Sequence, residues 1–270
     1  MAFSLGPRAI SAGYRLAAFD SIGSTNAEAL SRAREGERGP MWFVTSEQTA
    51  GRGRRRRPWI ASRGNLASSI LEVIDVSPAV AATLGFAAGL ALEAALQKVS
   101  IEASLRSAGS DEMKFSLKWP NDVLAGPKKL AGILLEAETV AANGLAVVVG
   151  IGTNVVAAPE GTPTPATSLK ALGIDIGAEE LFAALSDSWV EFREIWSQGR
   201  GFGEIRRLWL ERAAGLGQPV AVHTGGATIA GTFDTIDDTG SMIVTTSAGD
   251  QVAISAGDVY FGSAASAGAA

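Results

Sequence analysis

The chain has 270 residues, of which 47% are hydrophobic and 19% charged. This excludes disorder as its main state, and the length suits one large domain, alone or with a small one. A net charge of −5 differs from the basic balance of proteins that coat nucleic acid or membranes. With no cysteine and only one histidine, His223, disulfide scaffolds, thiolate metal sites, cysteine nucleophiles and two-histidine metal sites are excluded.

The chain offers no clear export or membrane signal. Arg8 and Arg15 interrupt the apolar residues of the first segment, so a signal peptide is not predicted. The longest apolar stretch, Ala79–Leu92, is shorter than the ~20 residues of a membrane span. We therefore expect a cytoplasmic protein without a membrane partner.

The first part of the chain alternates predicted strands and helices. Ser24, Thr25 and Asn26 are good helix caps and predict a helix over Ala27–Arg34. Pro78–Val99 is apolar on almost every side and predicts a buried helix. The remaining predictions are strands at Tyr14–Asp20, Met41–Glu47, Leu66–Val73 and Phe115–Trp119, a loop at Thr49–Pro58, an irregular segment at Ser100–Asp111, and a hairpin of Lys129–Glu138 with Leu145–Gly150.

The pattern changes near Gly217. Before it, helices are predicted at Ala178–Gln198 and Phe202–Ala213; after it, short strands separated by glycines predict a small barrel. The expected division is a catalytic domain over 1–215, a small domain over 216–262 and a flexible tail over 263–270. The fold class is α/β (α+β), a mixed sheet packed with helices. The tryptophans expected in the interior are Trp42, Trp119, Trp189, Trp196 and Trp209.

Three segments carry chemistry. The first, Glu47–Trp59, follows a predicted strand and contains Gly51 and Gly53, which let backbone approach a ligand. Its five arginines, Arg52 and Arg54–Arg57, suit carboxylate or phosphate oxygens. The alternatives are a solvated basic loop or a nucleic-acid contact.

The second segment, Lys118–Leu134, places a carboxylate, a carboxamide and an ammonium near one strand edge. Asp122 is a candidate to organise a metal or nucleotide, and Lys129 to neutralise a phosphate. The alternative is that Asn121 and Asp122 only form their own turn.

The third segment, Val147–Val155, contains Gly150 and Gly152 on a predicted buried strand. It lacks the third glycine and the following helix of a dinucleotide fingerprint, which excludes a Rossmann interpretation. These glycines instead leave room for a flat ligand beside the strand.

Together these segments resemble the biotin protein ligase family. The matching pieces are Ser24-Thr25-Asn26, Glu47–Arg54, Lys118–Asp122, Lys129–Leu134 and Gly150–Asn154, with a looser match over Gly217–Phe261. The resemblance implies a class II synthetase-like catalytic domain and a small SH3-like C-terminal barrel. It also implies that biotin and Mg-ATP give biotinyl-5′-AMP, from which biotin passes to a lysine of a biotin carboxyl carrier protein.

The resemblance also implies residue roles. Lys129 and Arg54 would be catalytic, and Asp122 would help hold Mg²⁺. The implied biotin-binding residues are Ser24, Thr25, Asn26, Gln48, Arg52, Gly53, Arg54, Lys129, Gly132 and Gly152. The implied ATP-binding residues are Arg57, Trp59, Asn121, Asp122, Lys129 and Asn154.

The chain departs from the family pattern at two positions: Arg56 stands where the loop usually has a glycine that adopts positive φ, and Ala67 where an aromatic is common. Too few residues precede the first strand for an N-terminal DNA-binding domain, so a ligase-only member is expected, without a nucleic-acid partner. Homodimerisation through edge strands is a further expectation. The alternatives are a lipoate or octanoate ligase of the same fold, an inactive biotin-binding paralogue, and a non-catalytic nucleic-acid-binding module.

Overall fold

The computed structural model describes residues 2–107, 113–140, 144–162 and 164–261. Its helices are α1 (Pro7–Ser11), α2 (Thr25–Arg34), α3 (Pro78–Ala82), α4 (Leu84–Ser107), α5 (Ala178–Trp196) and α6 (Phe202–Leu210). Its strands are β1 (Arg15–Phe19), β2 (Met41–Thr45), β3 (Leu66–Ile74), β4 (Phe115–Lys118), β5 (Asp122–Ala125), β6 (Lys128–Val140), β7 (Gly144–Thr153), β8 (Pro219–His223), β9 (Thr228–Ile236), β10 (Met242–Thr245), β11 (Gln251–Ile254) and β12 (Asp258–Phe261).

Within these ranges the strands form two sheets. The larger has seven strands in the order β1-β2-β3-β7-β6-β5-β4, and the smaller has five in the order β11-β10-β9-β8-β12. Strands β1 and β2 are parallel, and the other neighbouring pairs are antiparallel. The mixed α/β fold is therefore confirmed.

Helices pack on both faces of the large sheet. Successive side chains of a strand point to opposite sides, so each strand can contribute to two apolar clusters. On β2, Trp42 and Val44 join the main apolar cluster with α4 and α5, while Phe43 joins a second cluster with α2. On β7, Val147 and Val149 face the main cluster. The sheet thus lies between α2 on one side and α4, α5 and α6 on the other.

The long apolar helix begins at Pro78 as predicted but differs from its prediction in continuity and at its end. It is split into α3 and α4 near Thr83, and α4 continues to Ser107, so the irregular segment predicted from Ser100 is wrong over 100–107. Ser100 Oγ donates to Leu96 O at 2.7 Å, which satisfies its hydroxyl inside the helix. Residues 108–111 of the predicted irregular segment lie outside the described residues, as do residues 141–143 between the two strands of the predicted hairpin.

The α3–α4 segment, Pro78–Arg106, is long and apolar enough to cross a membrane by length and composition alone. Its side chains from Leu84 to Val99 are largely buried against the sheet and α5. The helix is therefore a core helix of this fold.

The five tryptophans expected in the interior are all buried, as predicted.

The small sheet packs against the end of the large one. Trp119, which follows β4, donates its indole N–H to Gly240 O at 3.0 Å, and Leu117 exchanges backbone hydrogen bonds with Arg212 and Ala214.

The predicted strands after Gly217 are confirmed; β12, β5 and the short α1 were not predicted. β5 and β12 are only four residues long, so their alternation gives little periodic signal. The predicted tail lies outside the described residues.

A buried polar cluster ties β3 to α5. Glu72 lies 2.7 Å from Arg193 Nε and accepts from Tyr14 Oη at 3.3 Å, while Trp189 Nε1 donates to Tyr14 Oη at 3.1 Å. Burial and the neighbouring Glu72 charge raise the pKa of Tyr14 well above its ordinary value, so its hydroxyl keeps its proton. The cluster satisfies a carboxylate that would otherwise be unpaired in the core.

Replacing Arg193 with methionine should lower the free energy of unfolding by about 3 kcal/mol, because it leaves the Glu72 charge buried without its cation. Urea unfolding measures this. The matched control is Arg8→Met, whose half-exposed pair with Glu191 on the same helix should contribute less than about 1 kcal/mol. Equal losses in the two variants would contradict the assignment.

Candidate active site

A cavity of about 280 Å³ opens between the large sheet, the arginine-rich loop and the small sheet. Every site residue implied by the sequence lines it: Ser24, Thr25, Asn26, Gln48, Arg52, Gly53, Arg54, Arg57, Trp59, Asn121, Asp122, Lys129, Gly132, Gly152 and Asn154. They come from α2, β5, β6, β7 and three loops. The structure therefore brings the three sequence segments together in one place.

The floor of the cavity is made by glycines on the central strands. On the α2 side of β7, Ala146 and Val148 lie in the second apolar cluster, and the next positions on that face are Gly150 and Gly152. A Cβ at Gly150 would collide with the Asn26 amide, and one at Gly152 would lie 2.6 Å from the Trp59 indole. The missing side chains are what leaves room above the sheet.

One end of the cavity is a neutral polar corner. Ser24 caps α2, and the Gln48 side-chain oxygen accepts from the Thr25 backbone N–H at 2.9 Å and lies 3.2 Å from Thr25 Oγ1. Ser69 Oγ, buried on β3, lies 2.7 Å from Thr25 Oγ1. Hydroxyl and amide groups of this kind suit a neutral polar ligand group.

The Asn26 side chain, unlike those of Ser24 and Thr25, makes hydrogen bonds to several protein groups on the central strands. Its amide donates to Glu136 Oε2 at 2.8 Å and to Leu134 O at 3.2 Å, and its oxygen accepts from Ser69 Oγ at 2.6 Å. This side chain is already satisfied by protein groups, so it braces the floor of the cavity. Neither Ser69 nor Glu136 was assigned from the sequence, because Ser69 lies outside the matching pieces and Glu136 lies on β6 two residues beyond the Lys129–Leu134 motif.

The arginine-rich loop forms a tight closed turn. Gly53 N donates to Arg57 O at 2.7 Å and Trp59 N to Gly51 O at 2.9 Å. Inside it, Arg55 and Arg56 adopt positive φ, at 55° and 59°. The positive φ expected at position 56 is thus present, in a residue for which it costs about 1 kcal/mol.

The small sheet anchors this loop through one carboxylate. Asp258 on β12 lies 2.8 Å from Arg55 Nη1 and 2.7 Å from Arg57 Nη2. Burial alone would raise the pKa of Asp258, but the hydrogen bond from Arg57 and the charges of Arg55 and Arg54 lower it below its ordinary value. The carboxylate therefore stays ionised, and the small sheet closes one side of the cavity.

Arg54 points inward from the same loop. It donates to Asn121 Oδ1 at 3.1 Å, and Asn121 in turn donates to Ile133 O at 2.6 Å. Burial lowers the pKa of the Arg54 guanidinium, although an arginine remains charged. The amide of Asn121 thus holds a cation in the wall of the cavity.

Lys129 and Asp122 stand next to this wall. Lys129 Nζ lies 2.6 Å from Asp122 Oδ1, an ion pair whose angle falls short of a hydrogen bond, and 5.5 Å from the centre of the Trp59 ring. Trp59 itself covers Gly132 and Gly152. The cavity therefore holds a cation beside an aromatic face and a glycine floor.

Apart from Asp122 Oδ1, which is paired by charge with Lys129, two polar atoms of the lining are enclosed with no hydrogen-bond partner among the described residues: Trp59 Nε1 and Asn154 Oδ1. Asn154 uses its amide N–H to reach Thr167 O at 3.1 Å, so only its oxygen is unsatisfied. Buried polar atoms are normally paired. The two atoms thus point to a ligand with both acceptor and donor groups.

A resident metal centre finds little support in the described ranges, where no group of three or more His, Cys, Asp or Glu side chains is placed to hold an ion. The cavity does contain one carboxylate, Asp122. Mg²⁺ commonly uses one or two protein carboxylates and takes its other ligands from phosphates and water. Asp122 fits an ion that arrives with a nucleotide.

Lys118, at the end of β4, also lines the cavity and was not assigned by the sequence. The sequence did contain an indication of its role, since Lys118 is the first residue of the Lys118-Trp119-Pro120-Asn121-Asp122 motif. Strand alternation alone, however, does not show that its side chain is enclosed. Asp258 and Tyr260 gave no signal, because only the docking of the small sheet brings them to the site.

Two family descriptions match the chain. Residues 18–154 match the biotin/lipoate A/B protein ligase family, and residues 215–262 match the biotin protein ligase C-terminal domain. The matches cover the segment with the cavity motifs and the small sheet.

Individual proteins match over most of the chain. A biotin–[acetyl-CoA-carboxylase] ligase of Paracoccus denitrificans is 39% identical, over 88% of this chain and 97% of the relative. A protein of the same name from Mycobacterium tuberculosis is 36% identical, over 88% and 85%. The solved biotin protein ligase of Aquifex aeolicus in complex with biotin and ATP superposes with a TM-score of 0.73 at 25% identity, covering 92% of this chain and 99% of that one.

Replacing Arg56 with glycine should raise the free energy of unfolding by up to about 1 kcal/mol, because glycine adopts positive φ without strain. Ligand turnover should stay equal or improve, since Arg56 does not line the cavity. Urea unfolding and a turnover assay measure the two effects.

The matched control is Arg63→Gly, at an exposed loop position outside the positive-φ set, where glycine should destabilise by adding unfolded-state entropy and by removing an exposed ion pair with Glu47. A large loss of turnover in Arg56→Gly would show that the arginine side chain itself is needed.

Proposed function

The chain belongs to the biotin/lipoate A/B protein ligase family, and on that basis we propose that it is a biotin–protein ligase. It activates biotin with ATP as biotinyl-5′-AMP and transfers the biotinyl group to a lysine of a carboxylase's biotin carboxyl carrier protein. The names of the two relatives and the biotin and ATP bound in the Aquifex aeolicus structure support this assignment.

One observation of this chain carries the proposal. The motifs that define the resemblance converge on a single cavity with a neutral polar corner at one end and a cluster of cations at the other. A biotin molecule has the same polarity: a neutral urea at one end and a carboxylate at the other. The corner of Ser24, Thr25 and Gln48 would hold the urea, and the glycine floor would accept the flat ring system beside it.

The first step joins two anions. A carboxylate oxygen of biotin attacks the α-phosphorus of ATP, the bond to the bridging oxygen breaks, and pyrophosphate leaves with that electron pair. Lys129 and Arg54 stand where these charges meet, and fixed cations in an enclosed site stabilise such a transition state. We assign the catalytic roles to them, and nucleotide contacts to Arg57, Trp59, Asn121, Asp122 and Asn154.

The second step transfers the acyl group. The neutral amine of the carrier lysine attacks the acyl carbon of the mixed anhydride, and an amide bond forms. The acyl C–O bond to the phosphate breaks, AMP leaves with that electron pair, and the nitrogen releases a proton to water. No cysteine or histidine is needed, because the adenylate already provides a good leaving group. This agrees with a chain that has no cysteine.

Magnesium would be held by Asp122 together with phosphate oxygens and would neutralise phosphate charge. The Asp122 carboxylate is paired with Lys129. We therefore assign Asp122 two partners: Lys129, and the ion that the nucleotide would bring.

Several broader expectations belong to the same proposal. They are a catalytic domain over 1–215 with a small domain over 216–262, a cytoplasmic location, the absence of a nucleic-acid or membrane partner, and a homodimer. The last of these is supported by β1, which is an edge strand of the large sheet in the described part of the chain.

The experiment that tests the function is pyrophosphate release with ATP and Mg²⁺, comparing biotin, lipoate and octanoate as the acid. Release with biotin alone is the expected result. Release with lipoate or octanoate instead would move the assignment to the lipoate branch of the family. Biotin binding without release in any reaction would indicate an inactive paralogue.

Lys129→Ala should reduce biotin-dependent pyrophosphate release by about 100-fold or more while changing biotin affinity much less, because its charge matters most when carboxylate and phosphate meet. A timed pyrophosphate assay measures the rate of release, and direct titration with biotin measures the affinity. The control is Lys128→Ala, an exposed neighbour on the same strand, which should behave as the wild type. Unchanged release in Lys129→Ala would remove Lys129 from the mechanism.

A further inference from the structure

The carboxylate of Glu136 meets two parts of the site at one atom. Its Oε2 accepts from the Asn26 amide at 2.8 Å and lies 3.9 Å from Arg52 Nη2. Asn26 lies in the first turn of α2, and Arg52 is the first arginine of the arginine-rich loop, residues 51–59. Both partners line the cavity, whereas Glu136 itself does not. Glu136 therefore acts on the site through these two side chains.

The strand register places Glu136 at the border of the cavity. On the α2 face of β6, Gly132 and Leu134 line the cavity, and Glu136 is the next residue on that face. Its partner in register is Val148 of β7, which belongs to the apolar cluster under α2. The Glu136 side chain is 30% exposed. The carboxylate thus reaches the surface where the covered part of the sheet ends.

The base of the arginine-rich loop lies against the polar corner. Its backbone passes so close that a Cβ at Gly51 would lie 2.6 Å from Gln48 Nε2. The next residue is Arg52, which a backbone bridge pairs with Pro58 across the loop. In the described part of the chain, Glu136 is the one acid within ion-pair distance of the Arg52 guanidinium. This contact ties the base of the loop to the central sheet.

The loop has a second anchor on its far side, and the two anchors differ. Asp258 of the small sheet lies 2.8 Å from Arg55 and 2.7 Å from Arg57. The single contact between Arg52 and Glu136 is longer, and the Arg52 side chain is 45% exposed. An exposed pair of this kind contributes little energy and separates readily. The loop is therefore held more firmly at the small sheet than beside the polar corner, and the corner side is the one that opens.

We propose that Glu136 is a positioning residue that holds the arginine-rich loop closed over the polar corner, by pairing with Arg52 while it fixes the Asn26 amide. This inference rests on the proposed function, in which the corner binds the urea of biotin. The pair retains biotin, and then the adenylate, until the carrier lysine arrives. Its separation lets the ligand enter and leave.

The first test is limited digestion of the full chain with trypsin, which cleaves after the arginines of an open loop. Glu136→Gln keeps an oxygen that accepts from Asn26 but loses the charge that pairs with Arg52. Cleavage within the loop, located by mass spectrometry, should become about 2- to 5-fold faster, because proteolysis follows the open population. The control is Glu138→Gln, which removes an exposed pair with Arg34 from the same strand and should leave loop cleavage unchanged.

The second test is the dissociation rate of labelled biotin, chased with unlabelled biotin in the absence of ATP. Glu136→Gln should release biotin about 2- to 5-fold faster than the wild type, and Glu138→Gln at the wild-type rate. Single-turnover pyrophosphate release at saturating biotin and ATP should change less than the dissociation rate. In an Arg52→Gln background, Glu136→Gln should have little further effect, and additive effects would contradict the pairing.

The outcomes separate the two proposals. Loop cleavage or biotin dissociation that stays at the wild-type rate in a folded Glu136→Gln overturns the positioning role. An equal rise in cleavage outside the loop would show a purely structural role and overturns it too. A wild type that binds no biotin, although its loop cleavage depends on Glu136, would overturn the proposed function alone. If thermal unfolding shows that Glu136→Gln does not fold, Arg52→Gln removes the same pair from the loop side and replaces it in both tests.

Discussion

The structure depends on one geometric constraint: the middle of a seven-stranded sheet must carry a ligand instead of a packed helix. Along the α2 face of β7, Ala146 and Val148 are covered by α2, and Gly150 and Gly152 then remove the side chains from the same face. The opposite face keeps Val147, Val149 and Ile151 in the main core. One strand thus supports the core on one side and leaves the cavity open on the other.

The polar groups around that cavity hold one another in place. Ser69 and Glu136 fix the Asn26 amide, Asn121 holds the Arg54 guanidinium, and Asp122 pairs with Lys129. Such pairing lowers the cost of keeping charges and amides inside an enclosed site. Among the described residues, Lys118 has no ion-pair partner and Trp59 Nε1 and Asn154 Oδ1 have no hydrogen-bond partner, so a bound ligand could satisfy all three.

The small sheet completes the site from the far end of the chain. Asp258 binds two arginines of the loop, and Tyr260 and Phe261 shield Lys118. The contacts of Asp258 link residues 203 and 201 positions apart, so the loop and the small sheet form one wall. The positive φ at Arg55 and Arg56 is tolerated in a loop that is tied down in this way.

The sequence by itself determined the class of the fold, most of its strands and helices, and many of the residues that line the cavity. It could do so because short motifs such as Gly51-Arg52-Gly53-Arg54 and Lys118–Asp122 hold their chemistry within a few neighbouring residues. In addition, the continuous apolar run Ala146–Val149 predicts a buried strand by itself. It misjudged the end of α4, where Ser100 satisfies its hydroxyl inside the helix, and it missed the short β5 and β12. Only the tertiary structure decided that Asn26 braces the floor, that Lys118 is enclosed, and that Ser69, Glu136 and Asp258 support the site. Those facts depend on which distant strands become neighbours, and the packing that decides this is not written in any local pattern.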